Sequence, residues 1–296
     1  NATHRACPGG LRFELDCAGG ANLVSDATWR IAPAAAYRSG WCSPLSVPIG
    51  YRFEYHAEAE DGWTAPEYDD SGWSRAARLA CPAPDGSWQT GGPRPLPPLR
   101  ESPPEPVSLI WQGEMLQDKR AAEALPFLRP MPPEQAFGEW KTGWNGVGGS
   151  DAGSLYPIRL EPDGEGIALN PPAAGCDGIS VILDLGRETT GFLELDLESP
   201  GATDRIRLEV HHGEHLEDGR VRSQILSANF SDVIHCRPGR TRFLHPLRRL
   251  GARYLQLFFS GEFTGPVRLR YAGLSETTPA LPPVAAFAAG DTALTE

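Results

Sequence analysis

Lysine is nearly missing from this chain. Only Lys119 and Lys141 occur among 296 residues, so almost all the positive charge is arginine. We read this as codon usage in a GC-rich genome, not as chemistry. The net charge is −11 and the isoelectric point is near 5.2. An acidic surface of this kind repels phosphate backbones and argues against a nucleic-acid partner. No run of about 18 apolar residues occurs, so no membrane-spanning helix and no membrane partner are expected. No two cysteines form a CxxC pair, which argues against a zinc ribbon or a redox motif. There is no G-x-S-x-G elbow for a serine nucleophile. The glycine-rich stretch from Trp140 to Gly153 lacks the lysine-serine pair that opens a phosphate-binding helix. No signal peptide is visible and the first residue is not Met. The expectation is therefore a removed leader or a fragment, with the compartment open between cytoplasm and export.

What the chain does have is turn formers. Its 33 glycines and 29 prolines together exceed a fifth of the residues, as in strand-and-turn proteins. Six cysteines occur: Cys7, Cys17, Cys42, Cys81, Cys176 and Cys236. Their even number permits a disulfide or two, and scattered buried thiols fit equally well. The central stretch, Ile179 to Val221, holds three alternating runs, VILDL, FLELDL and IRLEV. Turn chemistry separates them at Gly186 to Gly191, Ser199-Pro200-Gly201 and Asp218-Gly219. Alternation of this kind predicts an antiparallel meander, one wall of a β-sandwich.

The same stretch resembles bacterial α-L-rhamnosidases of glycoside hydrolase family 78. The resemblance rests on Asp184, Leu185 and Gly186, then Gly191 and Phe192, then Pro200 and Gly201, then Gly213, Glu214, Leu216, Asp218 and Gly219. In that family the pattern belongs to a β-sandwich just before a catalytic helical barrel. Gly251, Arg253 and Tyr254 resemble a strand near the end of the same family domain. The phrase GWTAPEYDDSGWSRA (Gly62 to Ala76) is similar to the closing turn of galactose-binding-like modules, and Ser25 to Ile31 resembles another segment of them. In many relatives an earlier strand reads Glu-x-Tyr-Asp-Ala-Arg. Here His56 holds the acidic position and Glu58 the basic one.

Taken in order, residues 1–92 are expected to form a galactose-binding-like β-sandwich, either cut at its N-terminus or completed by chain not shown. Leu11 to Cys17 is its first clear strand. Residues 93–135 read as a proline-rich linker, with a short helix at Gln117 to Ala124 stopped by Pro126. Residues 136–280 read as a second, jelly-roll-like sandwich built from eight strand-like runs. Residues 281–296 resemble the lead-in to the family's (α/α)6 barrel, which this chain does not reach. The fold class is thus all-β, two sandwiches joined by a proline-rich linker.

Candidate chemistry is sparse. His211, Glu214 and His215 match H-x-x-E-H, a zinc-protease pattern on a helix. On a strand, positions i and i+4 lie roughly 13 Å apart, too far for one ion at about 2.1 Å per ligand. A strand end with no metal is expected there. Asp69 and Asp70 are neighbours on a turn beside Trp63 and Trp73. Glycosidases need two carboxyls about 5 to 9 Å apart across a sugar, which adjacent residues on one turn supply poorly. The acidic pair reads as a turn, a cap or part of a binding surface, and calcium is left open. Aromatic faces stack on sugars, but Trp at strand spacing is more often core. Trp63, Asp69, Asp70 and Trp73 are therefore the candidate carbohydrate-binding residues, and no catalytic residue is assigned. The family's catalytic acids lie in its barrel, and no counterpart occurs here. The resemblance implies the non-catalytic N-terminal region of an α-L-rhamnosidase-like hydrolase, inactive alone. Its implied partners are the barrel of the same parent protein and a rhamnose-containing glycan. The alternative is a structural or protein-binding sandwich pair with no sugar site.

Overall fold

The computed structural model describes residues 10–11, 13–17, 19–20, 22–38, 44–46, 50–78, 97–117, 144–150, 158–199, 201–217, 220–225 and 228–279. The expected helix after Gln117, the proline run at 82–96, the barrel lead-in at 281–296, and Cys7, Cys42 and Cys81 lie outside the described residues. Cys17, Cys176 and Cys236 are free thiols.

The N-terminal part is made of short strands: β1 (Glu14–Asp16), β2 (Asn22–Val24), β3 (Arg30–Ile31), β4 (Tyr37–Arg38), β5 (Pro44–Ser46), β6 (Gly50–Tyr51), β7 (Glu54–His56) and β8 (Ser74–Arg75). Next come β9 (Leu99–Glu101), β10 (Val107–Gln117), β11 (Trp144–Ser150), β12 (Ile158–Leu160) and β13 (Ile167–Leu169). The long strands follow as β14 (Gly178–Ser199), β15 (Arg205–Gly213), β20 (Ser231–His235), β21 (Gly239–Glu262) and β22 (Val267–Pro279). Between them lie the short β16 (Leu216–Glu217), β17 (Arg220–Val221), β18 (Gln224–Ile225) and β19 (Ala228–Asn229). Among the described residues one 3-10 turn, Ala57–Ala59, is the only helical element.

Two bent strands organise the sandwich. β14 and β21 run antiparallel from Gly178↔Ser260 to Asp184↔Tyr254, and again from Thr189↔Ala252 to Ser199↔Gly239. In the first stretch β14 is flanked by β10 and in the second by β22. Each long strand therefore passes from one sheet to the other at the break. One sheet runs β11-β10-β14-β21-β15-β20-β7-β4, while β22, with β13 and β9 on it, extends the other. The sheets share one core, in which Val181 and Leu183 of the first stretch meet Leu193, Leu195 and Leu197 of the second. Strands that switch sheets through a bend are a standard way to build such corners.

The residues of the Asp-Leu-Gly signature make this crossover. Gly186 has φ +81°, a left-handed conformation that a side chain strains. Its N–H donates to Asp184 Oδ1 at 2.7 Å, and the Arg253 guanidinium across the break holds both oxygens of Asp184 at 3.2 Å. Gly191 follows for a different reason: a Cβ there would overlap the Ser275 carbonyl oxygen on β22.

The structure corrects the expected meander. VILDL and FLELDL are two halves of one strand, and IRLEV, on β15, is separated from them by β21. Alternation marks strands but carries no information on which strands pair. Val107–Gln117, inside the stretch read as linker, is a strand of the first sheet. The N-terminal part reaches the same sheet through β7, which pairs parallel with β20 at Val233↔Glu54 and His235↔His56. Ala36, Tyr55 and Ala57 join the shared core.

Candidate functional site

The turn carrying Trp63, Asp69, Asp70 and Trp73 closes the β3–β8 pair. Asp61 shapes its start, accepting the Trp63 N–H at 3.2 Å on one oxygen and the Tyr68 hydroxyl at 2.8 Å on the other. The Trp63 and Trp73 rings lie 6.3 Å apart at 50°, and Tyr68 lies 5.6 Å from Trp73. Trp63 is 50% exposed and Trp29 42% exposed, while Trp73 is half-buried. The carboxylates have internal partners. Asp69 accepts the Ser71 N–H at 2.9 Å, and hydrogen bonding to Ser71 holds its carboxyl below the usual range. Asp70 pairs with Arg30 of β3 at 2.9 Å. The four candidate residues thus share one exposed turn, two as neighbouring rings and two as the bonds that fix its shape. Trp41 lies outside the described residues, and Tyr55 is core.

His211 and His212 lie buried on β15, whereas His215 is exposed beyond its end. His211 Nδ1 lies 2.7 Å from Ser223 Oγ and its Nε2 3.2 Å from Glu209 Oε2. The serine-histidine-carboxylate order has the form of a nucleophile, base and orienting acid. Ser223 is fully buried, however, so no substrate carbonyl can reach its Oγ. The arrangement ties the segment around β17 to the face of the first sheet, as does the Val221 N–H bonded to Gln256 Oε1 at 3.1 Å. Burial drives the His211 pKa down, while the histidine hydrogen bond and the nearby Arg207 hold Glu209 far below the carboxylate range against its own desolvation.

A second buried node joins the N-terminal part to the sheet. Asp232 accepts the Phe53 N–H at 2.8 Å, and Arg248 Nη2 lies 2.7 and 2.6 Å from its two oxygens. Phe53 packs on the His245 ring at 4.6 Å. Sequence reasoning missed this node, since Phe53 and Asp232 alone lie 179 positions apart.

The fold also gathers a histidine-carboxylate group that the sequence reading did not name. Glu54 and His56, two apart on β7, share a face, and the parallel register sets His235 of β20 beside His56. The His56 and His235 rings stack at 4.2 Å, 9° from parallel. Glu54 Oε1 lies 2.6 Å from His235 Nε2 and 3.6 Å from His56 Nε2. The three offer ligand atoms within 4.8 Å of one another. The signal available beforehand was a Glu-x-His pair on an alternating strand; the third residue came from a distant one.

The class is set by these sheets: a two-layer β-sandwich. Residues 177–265 match the model of the bacterial alpha-L-rhamnosidase concanavalin-like domain. The matched segment includes the crossover strands and β15. No curated protein matches the chain. Among solved structures, a family 78 rhamnosidase from Bacillus sp. GL1 superposes with TM-score 0.61 at 16% identity, covering 94% of this chain and 45% of that one. An α-L-rhamnosidase from Aspergillus terreus superposes with TM-score 0.49 at 15% identity, covering 96% and 24%. The chain is thus similar in fold to part of the Bacillus enzyme, and residues 177–265 carry the match to the rhamnosidase domain. It spans less than half the length of either structure.

Proposed function

We propose that the chain is the non-catalytic N-terminal region of an α-L-rhamnosidase-like glycoside hydrolase. It scaffolds a catalytic helical barrel of the same parent protein and binds rhamnose-bearing glycan at the turn of Trp63, Asp69, Asp70 and Trp73. The match of residues 177–265 to the bacterial rhamnosidase domain carries the scaffold reading. The binding reading draws on the half-exposed Trp63 ring beside Trp73. An aromatic face left partly in water, on a turn already fixed by Asp61, Asp69 and Arg30, can stack on the apolar face of a sugar with little ordering cost.

Calorimetric titration with L-rhamnose, with and without calcium, tests the binding part. Saturable heat that disappears in Trp63→Ala is the expected result. Trp63→Ala should leave stability within about 0.5 kcal/mol, because the ring is half in water. An absence of heat at millimolar sugar, from a chain shown to be folded, would refute sugar binding. Hydrolysis of an aryl α-L-rhamnoside by the isolated chain, lost on mutating its own carboxylates, would refute the non-catalytic assignment.

One observation favours a second reading, in which the turn is purely structural. Both candidate carboxylates are committed internally, Asp69 to Ser71 and Asp70 to Arg30. On that reading Asp70→Ala loosens the β3–β8 pair and changes no sugar affinity.

A further inference from the structure

We propose that Glu54, His56 and His235 form a binding site for a divalent ion of the zinc class, at the seam where the N-terminal strand β7 joins β20. The donor set selects the ion. Two imidazole nitrogens and one carboxylate are the ligand types of zinc and its transition-metal neighbours. Calcium takes six to eight oxygen ligands, and this group offers too few.

The geometry is close to what such an ion needs. In a tetrahedral site with bonds near 2.0–2.1 Å, ligand atoms lie about 3.4 Å apart. Glu54 Oε1 and His56 Nε2 already lie at 3.6 Å. The Glu54–His235 contact at 2.6 Å is a hydrogen bond, and binding exchanges its proton for the metal while the stacked rings swing apart. His56 Nε2 is enclosed and has no hydrogen-bond partner among the described residues. An enclosed ring nitrogen without a partner is costly to leave unmade, and a metal bond would satisfy it.

The fourth coordination position opens on a cleft of about 180 Å³, lined by His56, Glu58, Arg205, Arg207 and His235. Two arginines near a cation would oppose it if they stood alone. Each has its own carboxylate: Arg205 pairs with Glu58 at 3.3 Å and Arg207 with Glu209. Arg38, across the β4–β7 pair from Glu54, is the other nearby cation. The cleft therefore suits water or a small anion as the fourth ligand. A metal here would clamp the parallel β7–β20 pair, whose register spans three residues, in addition to the Asp232 node.

The test is titration of the metal-free chain with zinc, followed by calorimetry, and with cobalt, followed by visible absorption. One equivalent of zinc should bind, and cobalt should show the intense visible bands of a tetrahedral site, bleached by zinc. His235→Ala and His56→Ala should each weaken zinc binding by about 100-fold or more, since loss of a ligand exceeds the 10- to 100-fold effect of losing an outer partner. His215→Ala, an exposed histidine elsewhere, should change nothing. Saturating zinc should raise the melting temperature of the wild type and slow proteolysis before residue 60. Were the histidine variants to misfold, the wild-type cobalt spectrum alone decides. Weak octahedral bands, a sulfur-to-cobalt charge-transfer band, no saturable zinc heat, or wild-type affinity in folded His235→Ala would each overturn the proposal.

Discussion

Acidification should destabilise this fold well before its carboxylates begin to protonate. His212 and His245 are buried, and burial pushes both pKa values down to about 4 from an ordinary 6.5. For His245 the local bonding points the same way. Its Nδ1 accepts the backbone N–H groups of Leu247 at 3.3 Å and Arg248 at 3.1 Å. A proton on Nδ1 would break both bonds, so the ring is held neutral. The Asp232 carboxylate, 3.9 Å from Nε2, would favour the charged ring, but it is already engaged by Arg248.

The sign follows from the direction of these shifts. The unfolded chain takes up protons at each histidine near pH 6.5, whereas the folded chain does so only near pH 4. Stability from these groups is therefore complete above 6.5 and is lost as pH falls from 6.5 to 4. At 1.36 kcal/mol per unit, each histidine can withdraw about 3 kcal/mol in all, and about 2 between pH 7 and 5. Both together remove about 4 kcal/mol by pH 5, a large part of the 5–15 kcal/mol typical of a folded domain. The carboxylates held low by their partners, Asp196 and Asp204 among them, lose their contribution only below their ordinary range and leave this window clear. Urea unfolding followed by tryptophan fluorescence at pH 7, 6 and 5 measures the effect. His212→Leu should remove about half of it and cost little at pH 7, since an apolar side chain replaces a ring with two unsatisfied buried nitrogens. A change of less than about 1 kcal/mol between pH 7 and 5 in the wild type would refute the reasoning.

Asp204 is a second sensitive point. Buried, it accepts the Ser199 hydroxyl, the Gly201 N–H at 3.0 Å, and the Thr264 N–H and hydroxyl at 2.9 and 2.5 Å. Asp204→Ala should cost about 3–5 kcal/mol by urea unfolding, because several buried donors lose their acceptor together. Gly261→Ala should cost at least about 2 kcal/mol, since φ there is +105° and an added Cβ overlaps the Arg205 carbonyl oxygen. Asp232→Ala should release β7 from the sheet, and limited proteolysis should then cut first between residues 38 and 60.

Much of the β class was legible because alternation is a local property. VILDL, FLELDL and IRLEV are strands, and Val181, Leu183, Leu195 and Leu208 face the core as alternation predicts. Pairing was not legible, since no local pattern tells that β21 lies between β14 and β15. The family signature was legible as a signature, and the structure supplies its physical reason. Asp184 and Gly186 turn the strand between sheets, Gly191 lets β22 approach, and Gly201 stands beside Asp204 in the turn from β14 to β15, against Thr264 of the β21–β22 turn. Not one of these residues lines the cleft of His56 and His235.

That separation has a consequence for reading function from such chains. A motif enforced by backbone geometry identifies the scaffold and is silent about what the scaffold carries. The resemblance expects an acidic and a basic residue at positions 56 and 58, where this chain has His56 at the end of β7 and Glu58 in the 3-10 turn after it. The acid-to-histidine exchange turns an oxygen ligand into a nitrogen one beside Glu54, and β20 brings His235 against it. Glu58, in the basic position, pairs with Arg205 at the rim of the same cleft. The two positions that depart from the resemblance thus meet at one cleft. In a scaffold whose signature is structural, the departures are the better guide to chemistry, and restoring both together, His56→Asp with Glu58→Arg, should abolish zinc binding while leaving the sandwich folded.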